Sequence, residues 1–202
     1  MQPYQKGECS MTRILFVCTG NTCRSPMAEA MLRALARQKG ISLEVRSAGV
    51  STIDGLPISG HAATALRGKS VDHQGSSRAL SGEAVVWADL ILTMTAAHKR
   101  GLLHYFPEAV DKAYTLKEYV NQDTAVQADI EELERLYTEM HMKQALGQQL
   151  SSAERTRLLE LERRIPSFDI ADPFGGTLSM YESCASEIEE SLKALLDILQ
   201  KG

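Results

Sequence analysis

The sequence predicts an α/β protein: a parallel sheet covered by helices on both faces. Two observations carry most of that prediction. Short apolar runs alternate with longer segments of helical period, in the order strand, helix, strand, helix, strand. The first of these runs, Arg13 to Val17 (RILFV), is apolar at nearly every position instead of alternating, which is the pattern of a strand buried on both faces. A third observation bounds the size: 202 residues, 44% hydrophobic and 24% charged, suit one domain spanning residues 1–202.

The elements follow in order. The first strand ends in a polar, Gly-containing turn. Ser25 and Pro26 then open a helix, because proline fits the first helical position and Met27, Ala30, Met31, Ala34 and Leu35 recur at helical spacing until Gly40. Leu43 to Ser47 is a second strand, and residues 57–67 form a second helix stopped by Gly68. Ser81 to Ala88 begin a third helix before residues 89–94 return to strand, and a short strand follows at 113–116. The last helix, about 178–200, carries Ile188, Leu192, Leu195, Leu196 and Leu199 on one face. Residues 123–146 and 151–165 interrupt this alternation as two amphipathic helices linked at Gly147, with Ser151 and Glu154 placed as a capping box. The first has six acids and two bases and the second three acids and four bases, so opposite net charges favour an antiparallel hairpin, inserted at 123–165. That hairpin is a candidate surface for self-association or docking.

Composition excludes several functions. A net charge of −4 supplies no global positive field for nucleic acid or an anionic membrane surface. No apolar run is long enough to cross a bilayer, and MQPYQKGECS lacks the apolar stretch of a secretory signal, so a cytoplasmic location is expected. Four scattered cysteines (Cys9, Cys18, Cys23, Cys184) do not make a disulfide framework, which leaves one of them free for chemistry. The five histidines form no metal-ligand pattern, so neither a metal nor a cofactor is expected. Gly68-Lys69-Ser70 resembles the end of a nucleotide-binding loop but lacks the required upstream glycine, since Ala63 stands there. Trp87 and the methionines read as core.

The informative segment is Cys18-Thr19-Gly20-Asn21-Thr22-Cys23-Arg24-Ser25, which leaves the carboxyl end of a strand and enters a helix N-terminus. Unpaired amides and the helix dipole favour a dianion there. Gly20 and Asn21 tolerate positive φ, so consecutive amides can curl around one phosphate, and Arg24 can close the cradle with a planar donor fork. Cys18 then lies beneath phosphorus, where the same positive field favours a thiolate nucleophile and a phosphocysteine intermediate. Ser25 can donate to the sulfur. Protonating the leaving atom and later activating water need an acid and base, for which Asp172 in Ala171-Asp172-Pro173-Phe174-Gly175-Gly176 is the candidate. Cys23 lies five positions from Cys18 on the same curl, which leaves two roles open: a reversible protecting disulfide that makes the site redox-sensitive, if the Cα separation falls within about 4.4–6.8 Å, or simple packing.

The run VCTGNTCRSPMAEA resembles the signature of the low-molecular-weight protein tyrosine phosphatase family, and ADPFGG resembles its general-acid loop. The resemblance covers about residues 12–121 and 167–200 and omits the hairpin. It implies a four-stranded parallel sheet in order 2-1-3-4, phosphorylated protein substrates, Cys18 as nucleophile, Arg24 as transition-state clamp, and Asp172 as acid then base. It also implies that Asn21 and Ser47 brace the loop and that Ser25 assists the thiolate. At Thr22 the sequence resembles the protein-arginine-phosphatase branch, which has Thr there where tyrosine phosphatases commonly carry a bulkier Ile; Phe174 stands where they often have Tyr. Thr22 leaves room for water near phosphorus, and Asp172 can grip a guanidinium by paired hydrogen bonds. Phosphoarginine hydrolysis is therefore the expected activity, with phosphotyrosine hydrolysis as its main rival. An arsenate reductase would need more late cysteines than Cys184, and a phosphate-sensing module would not need both nucleophile and acid.

Overall fold

The computed structural model describes residues 12–73 and 75–201; Cys9 and the MQPYQKGECS segment lie outside the described residues. The chain divides into two compact units. One comprises the chain up to Val120 together with the segment from Phe168 onward, and the other is Asn121–Ser167.

The first unit is built on four parallel strands, β1 (Thr12–Cys18), β2 (Leu43–Gly49), β3 (Leu90–Thr93) and β4 (Ala113–Thr115), in the order β2-β1-β3-β4. Side chains of β1 divide between two cores because successive residues point to opposite faces. Ile14 and Phe16 pack with α1 (Arg24–Gln38), α2 (Gly60–Gly68) and α8 (Leu178–Lys201), while Leu15 and Val17 pack with α3 (Gly82–Trp87) and α4 (Ala96–Tyr105). That double burial explains the uninterrupted apolar run. Each such side chain contributes about 1.5–3 kcal/mol on burial.

The fold class and sheet order are as expected, and the differences lie at element ends. α2 starts three residues later than its periodicity suggests, because Pro57 is held in an antiparallel bridge to Ser76. β2 extends two residues further, since β1 pairs with it through Cys18↔Gly49. Three elements lie where the sequence reading placed none: α4, a 3-10 turn at Pro107–Lys112, and a short helix, α5 (Leu116–Val120). Thr95 starts α4 by accepting from the His98 amide, a capping signal hidden in a stretch of ordinary hydropathy. Trp87 packs half-buried against the second core under the Arg46 guanidinium at 4.0 Å, and Met27, Met31 and Met94 fill core as expected, whereas Met142 and Met180 are exposed and do not.

The second unit holds α6 (Thr124–Ala145) and α7 (Ser152–Arg164). Ser151 and Glu154 form the capping box, and Gly147 takes φ 70 in the link. Ion pairs Glu132–Arg157 (2.6 Å) and Glu154–Lys143 (2.5 Å), with Asp129–Arg164, join the helices in antiparallel register. Among its residues only Leu136 and Leu161 are buried.

Candidate active site

The carboxyl ends of β1, β2 and β3 converge on one loop, residues 18–24. Its thiol, Cys18, is 3% exposed and has Sγ 3.0 Å from Ser25 Oγ. The Asn21 amide donates to the same sulfur at 3.3 Å. Asn21 has φ 52, the left-handed turn that curls the loop; Gly20, expected to share that role, is not among the positive-φ residues. Apart from Asn21, the amides of Gly20, Thr22, Cys23, Arg24 and Ser25 donate to no acceptor among the described residues. Consecutive unpaired donors at the start of α1 are a cradle for a tetrahedral oxyanion.

A buried network holds this curl. Asn21 Nδ2 donates to Ser25 Oγ and to Ser47 Oγ, both at 2.8 Å, and Asn21 Oδ1 accepts from the Arg78 amide at 2.8 Å. Ser47 in turn donates to Glu29, a nearly buried carboxylate. The directions are forced. Glu29 as a carboxylate only accepts, so Ser47 spends its proton there and its lone pairs take the Asn21 amide. Ser25 likewise accepts from Asn21, leaving its own proton free for Cys18 Sγ or, at 3.5 Å, for Ala48 O. Gly49 completes the support, since a Cβ there would sit 2.6 Å from Thr19 O and 3.1 Å from the Asn21 amide.

Arg24 is 4% exposed and brings the acid loop to the cradle. It donates through Nη1 to Ile170 O at 3.2 Å and through Nη2 to Asp172 Oδ2 at 2.7 Å. The Asp172 carboxylate is half-exposed and also accepts from the Phe174 amide at 3.1 Å. Ile170 pairs its amide with Met94 O, just past β3, at 2.8 Å, while Gly175 takes φ 74 and lets the Gly176 amide return to Pro173 O. The carboxyl end of β3 and a tight turn therefore carry Asp172 to a residue 148 positions away in sequence.

The structure thus brings Cys18, Asn21, Arg24, Ser25, Ser47 and Asp172 into one hydrogen-bonded set. Thr19 and Cys23 direct their side chains to neighbours, and only their backbones face the loop's own business: Thr19 Oγ1 meets His98 Nε2 at 2.7 Å, and Cys23 Sγ meets the Tyr181 hydroxyl at 3.4 Å. Thr22 is half-buried, with its hydroxyl 3.7 Å from Cys23 Sγ, and the Phe174 ring is 77% exposed. Cys18, Cys23 and Cys184 are free thiols. Burial pushes the Cys184 thiol up to about 12, and it donates to Ala171 O behind the acid loop.

Three participants escaped the sequence reading. His98 bridges Thr19 and Thr95, and burial, helped by the Arg24 charge, lowers it to about 4, so it works as a neutral ring. Tyr181 and Glu29 carried no assigned role in the sequence, Tyr181 lying in the last helix and Glu29 in the first. Only the spacing Thr95-x-x-His98 directly after a strand offered a hint of His98.

A parallel sheet presenting a thiol, a buried guanidinium and a carboxylate at one strand–loop–helix turn defines the class of cysteine-dependent protein phosphatases. The family model of the low molecular weight phosphotyrosine protein phosphatases matches residues 13–140, and the chain belongs to that family. The match runs past residue 121, where the sequence resemblance was expected to break off. The chain is 34% identical over 188 residues to a protein-arginine-phosphatase of Geobacillus stearothermophilus, covering 93% of this chain and 96% of that one. It is 35% identical over 188 residues to a protein-arginine-phosphatase of Bacillus subtilis (strain 168), covering 93% and 97%. A solved mutant of the YwlE arginine phosphatase with a phosphorylated active-site serine superimposes with a TM-score of 0.70 at 33% identity, covering 94% of this chain and 97% of that one.

Proposed function

We propose that this protein hydrolyses phosphoarginine in phosphorylated proteins through a phosphocysteine intermediate. The observation that carries the reading is the Asp172 carboxylate at 2.7 Å from a guanidinium, that of Arg24, at the rim of the thiol cradle. With a phosphoryl group bound, Arg24 turns its fork to the phosphate oxygens, and Asp172 is left to grip the guanidinium of the substrate.

The Cys18 thiolate attacks phosphorus in line, an S–P bond forms, and the P–N bond breaks with its electron pair going to nitrogen. Protonated Asp172 supplies the proton to that nitrogen, and arginine leaves. Asp172 then takes a proton from water, whose oxygen attacks phosphorus; the S–P electrons return to sulfur, where the Ser25 hydroxyl receives the developing charge. Thr22 shapes the choice of substrate by leaving space for that water. Fast acid quenching during turnover should trap phosphate on Cys18. Competing phosphoarginine and phosphotyrosine proteins in one assay tests the substrate, and Thr22→Ile should shift the ratio of kcat/KM towards phosphotyrosine by about tenfold or more. An unchanged ratio removes the basis for the arginine preference.

The exposed Phe174 ring beside Asp172 favours a second reading, phosphotyrosine hydrolysis by stacking on the tyrosyl ring, and the same competition decides it. The reading places the protein in the cytoplasm; no helix of the described residues is long and apolar enough to cross a membrane. It gives the hairpin a docking role for protein substrates, supported by exposed Met142, Leu146 and Leu159.

A further inference from the structure

The stretch that delivers Asp172 is irregular backbone, yet the successive polar groups of residues 169–171 are each taken by a separate partner. Asp169 O accepts from Lys117 Nζ at 3.4 Å, and the Ile170 amide donates to Met94 O at 2.8 Å. Ile170 O accepts from Arg24 Nη1 at 3.2 Å. The Ala171 amide donates to Glu187 Oε2 at 3.4 Å, and Ala171 O accepts from the Cys184 thiol at 3.5 Å. Residue 171, the neighbour of the acid, therefore has both of its backbone polar groups held by side chains of α8.

The other oxygen of Glu187 pairs with Lys117 on α5 at 2.9 Å, and both side chains are half-exposed. An ion pair open to solvent stabilises a fold little by itself. Its geometry does something else: with Oε1 fixed on Lys117, the carboxylate presents Oε2 to the Ala171 amide, while the same ammonium reaches Asp169 O. Burial keeps the Cys184 thiol protonated, so it remains a donor to Ala171 O. The chain comes back to the first unit at Phe168. These contacts therefore give the acid loop its place from the first unit, directly after the inserted residues end.

We propose that Glu187, oriented by Lys117, is a positioning residue that keeps Asp172 at the cradle once Arg24 is engaged by phosphate. The inference rests on the reading of Asp172 as the acid and base of the reaction. In the free protein Arg24 Nη2 holds Asp172 Oδ2 at 2.7 Å. When a phosphoryl group takes the guanidinium fork, that hold is given up at the step where Asp172 has to deliver its proton. Met94 still anchors residue 170, and Glu187 and Cys184 still anchor residue 171. A thiol is a weak donor, so the carboxylate carries more of the restraint. A displacement of the acid by about 1 Å costs about 10²-fold in rate, which is the scale on which such a restraint acts.

The test compares kcat/KM of the full chain on phenyl phosphate, whose leaving group needs a proton, and on p-nitrophenyl phosphate, whose leaving group departs more readily without one. Glu187→Ala should lower the first by about tenfold or more and the second by about threefold or less. Glu187→Gln keeps an oxygen for the Ala171 amide and should recover most of the loss. Lys117→Met should show the same dependence on the ester, with a loss of about threefold on phenyl phosphate. Both side chains are half-exposed, so thermal midpoints should barely move. In an Asp172→Asn background, where the acid is already gone, adding Glu187→Ala should change neither ester further. No loss, an equal loss on both esters, or a loss that persists beside Asp172→Asn overturns the positioning role; an unaffected Lys117→Met overturns the part given to Lys117. If Asp172→Asn itself slows both esters equally, the acid reading falls and the proposal with it. If Asp172→Asn discriminates between them and Glu187→Ala does not, the positioning role alone falls. Neither ester contains arginine, so failure of the phosphoarginine preference would be visible separately.

Discussion

The loop at residues 18–25 and the hairpin at Asn121–Ser167 use opposite means to hold their shape. In the loop Asn21, Arg24 and Ser25 are at most 4% exposed, and each polar side chain finds a partner inside the protein. In the hairpin the helices are joined by ion pairs at or near the surface, with few apolar side chains beneath them. Buried hydrogen bonds are short-ranged, directional and costly to leave unmade, so they hold a single geometry. Surface ion pairs contribute little each and weaken in salt. Where atoms have to meet a phosphorus centre the chain uses the first kind, and where two helices need only stay together it uses the second.

Substitution of the sulfur sharpens this contrast most. Cys18→Ser keeps a donor-acceptor atom in the network but removes the nucleophile, so kcat on an aryl phosphate should fall by about 10⁴-fold or more while the thermal midpoint barely moves. Residual turnover near wild type would overturn covalent catalysis. Gly49→Ala attacks the support instead. Its Cβ would meet Thr19 O at 2.6 Å, so the loop has to shift, costing about 1–3 kcal/mol of stability. Turnover should drop about 10–100-fold by misplacing the cradle, as steady-state kinetics and thermal melts would show.

A pH experiment separates the same two regions more gently. His98 has an ordinary value of 6.5 and is held at about 4 in the folded protein, so between these the unfolded chain binds more protons. Stability should therefore decline as pH falls from 6.5 towards 4 and show no such contribution above 6.5. Urea midpoints across that range would show the slope, and His98→Gln should flatten it. The smallest effect belongs to the hairpin. Replacing residues 121–167 by a short flexible linker should leave kcat on an aryl phosphate within about threefold while changing kcat/KM on phosphorylated proteins. Identical protein kinetics would remove the docking role. Raising salt should speed amide exchange in α6 and α7 well before it affects α1.

Much of this was legible from local pattern. RILFV reported a strand covered on both faces, and the spacing of Cys18 and Arg24 around Asn21 reported a loop built for an anion. Ser151 and Glu154 reported a helix start that the structure reproduces bond for bond. The parts that escaped depend on contacts with no local signature. His98 meets Thr19 across 79 positions and Tyr181 meets Cys23 across 158. Nothing in the hydropathy around Glu29 distinguishes a carboxylate that holds Ser47 from one on a solvated helix face. α4 went unread for a related reason: its buried residues, His98 and Leu102, are too few to give a strong apolar stripe.

By itself the sequence determined which segments become strands and helices, and that a thiol and an arginine share one turn at a helix start. Those properties follow from side-chain periodicity and from backbone preferences acting over a few residues. Only the tertiary structure decided which carboxylate reaches that turn and which distant side chains brace it. Such outcomes depend on distances between residues far apart in the chain, and parallel strand pairing sets them only once the whole sheet has formed.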